Sequence, residues 1–185
     1  MKKWILIPAA LFAFSTLVLG QMNMPQDKSK RPSPPASAEC KFSDGKTVKI
    51  DYSSPRAKGR KIFGEASDKV LVPYGEVWRT GANEATTFVA ASNITVGGKP
   101  VPAGSYTIFT IPKADSWTLI ISKKTGEWGT DYPGEKEDLL RVPMSVSKTS
   151  APVENFTIAF TPSGRKCDLR MEWENTSAKV GIDEK

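Results

Sequence analysis

The 185-residue chain reads as all-β: an antiparallel β-sandwich of about nine or ten short strands, with a barrel-like closure as the alternative. Three observations predict this. From Cys40 onward apolar residues recur with a period of two. Glycine and proline, 14 each, punctuate the chain with turns. Only residues 134–140 carry a helical pattern, and briefly. Charged residues at 25% and hydrophobic residues at 39% are the balance of a folded domain with a core.

The elements follow in chain order. Lys2 and Lys3 precede an almost wholly apolar run, residues 4–19, that ends Val18-Leu19-Gly20. That is the pattern of a cleaved signal peptide over residues 1–20, with mature chain from Gln21, and the run is short for a membrane span. Periplasmic or extracellular localisation is therefore expected, with no stable span after cleavage. Residues 21–39 are polar, carry four prolines and show no hydrophobic period, and read as a disordered Pro-rich linker. One β-domain is expected over residues 40–185. Within it, residues 46–52 alternate Val48, Ile50 and Tyr52 against Lys49 and Asp51. Gly97-Gly98 signals a hairpin over residues 94–102, and residues 103–112 and 117–122 read as partnered strands. Phe156, Ile158 and Phe160 share one face, as do Cys167, Leu169, Met171 and Trp173 on the next strand.

Cys40 and Cys167 stand on apparent core faces. In an oxidising compartment they are a candidate disulfide, and the other reading is a pair of buried thiols. No Cys-x-x-Cys spacing suggests redox catalysis. The chain has no histidine, which excludes Ser-His-Asp and Cys-His nucleophile systems, imidazole general bases and the usual zinc sites. No loop has calcium-ligand spacing, so neither metal nor cofactor is expected. The formal net charge is +6; removing residues 1–20, which hold two lysines and no acid, leaves +4. That mild excess favours anionic partners. Export and scattered basic residues argue against nucleic acid.

Three loops gather binding chemistry. Residues 72–84, VPYGEVWRTGANE, place Arg79, Asn83 and Glu84 beside Tyr74 and Trp78. Residues 59–64 supply Arg60, and residues 126–132 supply Trp128 and Tyr132. Aromatic faces pack on apolar ligand faces, and arginine forks meet carboxylates or phosphates in pairs of hydrogen bonds. Arg60, Arg79, Asn83, Glu84, Trp128 and Tyr132 are the candidate site for a saccharide or small anionic ligand. The competing reading makes Trp78 core and pairs Arg79 with Glu84 to tie the loop down.

The runs IDYSSPRAKGRKIFG and LVPYGEVWRTGANEAT, with AGSYTIFTIP, Trp117 and Trp128-Gly129, resemble the bacterial exported family catalogued as domain of unknown function 2911. The resemblance extends from about Ser37 to Ile182, and RTGANEAT is its most specific run. Where the family pattern reads Tyr-Ser-Arg-Pro, this chain has Tyr52-Ser53-Ser54-Pro55. The resemblance implies export and carries over no activity. The expected function is thus a non-catalytic binding or structural β-domain of the cell envelope or secretome. The alternative is a hydrolase of envelope polymer using Glu84 with Asp131 or Glu127, which needs two carboxyls about 5–10 Å apart.

Overall fold

Alternation of apolar and polar residues becomes strand after strand in the computed structural model, which describes residues 27–185. The strands are β1 (Pro35–Lys41), β2 (Thr47–Ser53), β3 (Phe63–Gly64), β4 (Val72–Pro73), β5 (Thr86–Ala90), β6 (Ile94–Val96), β7 (Lys99–Val101), β8 (Gly104–Pro112), β9 (Ser116–Ser122), β10 (Asp138–Ser163) and β11 (Lys166–Glu184). Nine of them form one antiparallel sheet in the order β1-β2-β5-β8-β9-β10-β11-β6-β7, and β3 and β4 make a small parallel pair. The ladder begins at β1 and ends at β7, so the barrel-like alternative does not form.

The long β10–β11 hairpin turns this single ladder into two packed layers. The first half of β10 pairs with β9, from Asp138 to Ser145, and the second half does not. Between the halves, around Pro152, the β10–β11 register shifts twice, at 148–153 and 153–157. Such irregularities bend a strand pair, and a proline has no N–H for the ladder. The far end of the hairpin therefore folds over the β2 side. There the Ile158 N–H donates to Tyr52 Oη at 3.0 Å, and Ser54 Oγ donates to the Phe156 carbonyl at 2.8 Å. One core joins the layers: Ile50, Phe88, Ile108 and Leu119 meet Phe156, Leu169 and Met171, all at most 3% exposed.

Cys40 and Cys167 are disulfide-bonded, linking β1 to β11 with Cα atoms 6.5 Å apart across 127 residues of sequence. No helix among the described residues is long and apolar enough to cross a membrane.

Two sequence expectations are corrected. The linker expected over residues 21–39 is ordered strand from Pro35: β1 pairs with β2 over Pro35–Lys41, and Lys28–Lys30 form a 3-10 turn. Its small residues, Ala36 and Ala38, sit against the core edge, a burial too slight to show as a hydrophobic period. Residues 21–26 and the expected signal peptide lie outside the described residues. The helical pattern at 134–140 yields only a 3-10 turn at Glu135–Glu137. Beyond it Leu140 and Val142 pair with Ile121 and Leu119 as strand, because cross-strand burial outweighs weak helical periodicity.

Candidate functional site

The loop at residues 72–84 is held by its own backbone before any ligand is considered. Trp78 and Thr110 exchange two main-chain hydrogen bonds, of 2.7 and 2.9 Å, which fasten the loop to β8. The chain then reverses through positive φ at Thr80 (55°), Gly81 (154°) and Asn83 (58°). A β-branched residue in that region is strained by about 1–3 kcal/mol and persists only where its surroundings fix it. Thr80, fully buried, is fixed by its hydroxyl on Thr110 Oγ1 at 3.1 Å and by its carbonyl accepting from Thr86 Oγ1 at 2.8 Å.

The loop at 126–132 docks against this turn through Gly129. Its N–H donates to the Asn83 carbonyl at 3.1 Å, beside a backbone bridge between Glu84 and Trp128. A Cβ on Gly129 would lie 2.5 Å from Arg79 Cδ and 2.6 Å from the Asn83 oxygen, so only glycine lets the two loops meet.

Arg79 is thereby pressed along Gly129, with one guanidinium nitrogen donating to the Asn83 carbonyl at 3.3 Å. It opens onto a pocket of about 230 Å³ that Arg60 also lines. Arg60 arrives from the loop after β2, steadied by bonds from Nε to the Ala57 carbonyl (3.0 Å) and from Nη2 to the Arg56 carbonyl (2.6 Å). The lining is mixed: Trp78 and Trp173 stack with centroids 5.8 Å apart, Pro55, Leu71 and Val72 add apolar surface, and Ser33, Gly81 and Ala82 complete the walls. No acid lines this pocket, and neither Arg60 nor Arg79 is in an ion pair with a described residue. Trp78 is a core residue, 9% exposed, that also lines this pocket.

Glu84 does not join Arg79. It lines a separate pocket of about 170 Å³ with Lys28, Asp51 and Thr87. Lys28 Nζ lies 2.9 Å from its carboxylate, and Arg31 reaches both oxygens at 2.8 and 3.0 Å. Lys28 first and Arg31 second hold the Glu84 carboxyl down at about 2, against an ordinary 4.5. Asn83 fastens the same arm, donating from Nδ2 to the Ser33 carbonyl at 3.0 Å. Trp128 is 52% exposed, next to the glycine that supports Arg79. Tyr132 stands apart: its hydroxyl bonds Asp138 at 2.9 Å and accepts from Arg141 at 2.7 Å, while its ring covers Phe109 on the outer face of β8. It caps a small second cluster and does not reach the arginine pocket.

The sequence reading put Arg60, Arg79, Asn83, Glu84, Trp128 and Tyr132 in one candidate site; the structure sets Arg60 and Arg79 on one pocket and Glu84 on another, with Tyr132 on neither. That reading missed Trp173, Ser33, Pro55 and Leu71 as pocket walls, and Lys28 and Arg31 as the partners of Glu84. Trp173 was legible as a large apolar residue on a core face; nothing local in the chain marks which cavity it floors.

Of the hydrolase candidates, Glu84 is committed to the arm, and Asp131 is exposed on a turn. Glu127 pairs with Lys124 at 3.6 Å, and its Oε2 is buried without a hydrogen bond among the described residues. No group of three or more acids or cysteines among those residues could hold a metal ion.

The fold is an antiparallel β-sandwich whose 72–84 and 126–132 loops meet at Gly129. A family model described as "Protein of unknown function (DUF2911)" matches residues 33–182, and the chain belongs to that family. No curated protein and no solved structure matches the chain.

Proposed function

We propose that this protein is an exported, non-catalytic binding domain that holds a small anionic ligand between Arg60 and Arg79. One observation carries the reading: two guanidinium groups from separate loops line one pocket that contains no acid. A structural arginine is ordinarily paired with a carboxylate, as Arg31 is with Glu84 and Arg141 with Asp138. Arg60 and Arg79 are steadied only through carbonyl oxygens, which position them and leave their charge uncompensated. An anion would supply the missing acceptor through charge-assisted bonds.

Export is supported by the basic-then-apolar start of the sequence and by the Cys40–Cys167 disulfide, a bond that persists in oxidising compartments. In the hydrolase alternative Glu84 does not suit the part of the acid. A carboxyl held near 2 by two cations stays ionised at neutral pH and has no proton to donate to a leaving group.

The test is thermal unfolding of the mature chain with a panel of organic acids, phosphates and acidic saccharides. A bound ligand raises the melting temperature in proportion to the logarithm of its concentration. The expected result is such a rise in the wild type and none in the Arg60→Gln/Arg79→Gln double variant. Equal responses in both proteins would end the reading. Intact mass of the chain recovered from the periplasm, beginning at Gln21, checks the export half.

A further inference from the structure

The geometry points to the class of anion: an organic acid carrying one compact apolar group, a ring or branched chain, seated on tryptophan with its carboxylate between the two arginines. The inference rests on the anion-binding reading and narrows it.

The pocket's volume, about 230 Å³, exceeds the roughly 150 Å³ of an engineered cavity that admits benzene. A bare phosphate or acetate would leave most of that space unfilled. The pocket's lining is mixed: Arg60, Arg79 and Ser33 supply polar groups, and Pro55, Leu71, Val72 and Trp78 supply apolar surface. Leu71 is 43% exposed, an apolar side chain left in water at the rim. Trp78, 9% exposed and backed by the buried Trp173, presents an indole edge against which a ring packs. A ligand of matching polarity is charged at one end and apolar at the other.

The surroundings reinforce that direction. Beyond Arg60 lies a second pocket of about 460 Å³, and its walls include Glu154 and Glu174. Glu154 Oε1 accepts from the Lys58 N–H at 2.9 Å, and Glu174 Oε2 from the Ile62 N–H at 3.3 Å. Arg60 and Lys61 stand on the same walls, so the charges there balance and a ligand's charge is drawn to the first pocket, which has two arginines and no acid.

The experiment follows the arginine Nε–H and tryptophan indole N–H signals of the 15N-labelled mature chain by NMR. Phenylacetate, acetate, inorganic phosphate and benzyl alcohol are titrated in turn. Phenylacetate is expected to move the Arg60, Arg79 and Trp78 signals together, with a Kd on the order of 0.1–1 mM for so small a ligand. Each of the other three, lacking either the ring or the charge, is expected to bind about tenfold more weakly. Arg60→Gln, at an exposed position, and Arg79→Lys, which keeps the charge, are the companion variants, with unchanged backbone spectra as the check on folding; each is expected to weaken phenylacetate about tenfold. If acetate or phosphate equals phenylacetate in the wild type and is lost in the variants, the apolar subsite is overturned while the anion reading stands. If benzyl alcohol equals phenylacetate, or no probe moves the arginine signals, both are overturned.

Discussion

Glu84 has one carboxylate and two cationic partners, Lys28 at 2.9 Å and Arg31 at 2.8 Å, all three on a surface where water still reaches. Its side chain is 38% exposed, so solvent screens the pairing and leaves about 1 kcal/mol between the three groups. The sign of the pH dependence follows from the direction of the shift. The carboxyl titrates lower in the folded protein than in the unfolded chain, so its stabilisation is complete above about 4.5 and is lost as pH falls toward about 2. The arm residues Ser29 and Arg31 should therefore lose their folded amide chemical shifts in that window. Glu84→Gln should produce the same change at neutral pH, and unaltered arm shifts in that variant would disprove the clamp. The sequence run RTGANE announced that these residues matter. It could not say that Glu84 faces a segment more than 50 residues away, because that pairing exists only once β1 has docked.

At the scale of elements, period-two patterning made most strands visible in advance. Val48, Ile50 and Tyr52 on β2, and Cys167 to Trp173 on β11, have the burial that their alternation implies. Less visible was the extent of β10 and β11. Their far halves carry Ser, Thr and Lys facing water, and the bends near Pro152 break the period. The meeting of the 72–84 and 126–132 loops was legible only as composition. What joins them is the missing side chain of Gly129, whose role depends on atoms from another loop. Gly129→Ala should lower stability by about 1–3 kcal/mol through overpacking, and displace Arg79. Urea unfolding measures the first effect and the Arg79 Nε–H shift the second; an unchanged midpoint and shift would show that the loops are not in contact as described.

Across the whole molecule, the bent β10–β11 hairpin and the Cys40–Cys167 disulfide tie the two layers together, and the residues 27–34 arm holds the turn at Asn83 and Glu84. In the chain-entropy account a disulfide closing so long a loop contributes about 5 kcal/mol. That rigidity matters for the site, since Arg60 and Arg79 come from separate loops and Trp173 from the second layer. A preorganised pocket binds without first ordering its walls. The fold class was readable in the chain because alternation is local. The pocket was not, because its walls come from six separated stretches between Ser33 and Trp173.

The most direct measurement is a crystal structure of the mature protein grown with phenylacetate. The account predicts the carboxylate between the Arg60 and Arg79 guanidinium groups, with the ring against Trp78 and Leu71. Phenylacetate bound elsewhere, or a pocket closed by a carboxylate of the protein itself reaching Arg79, would contradict it.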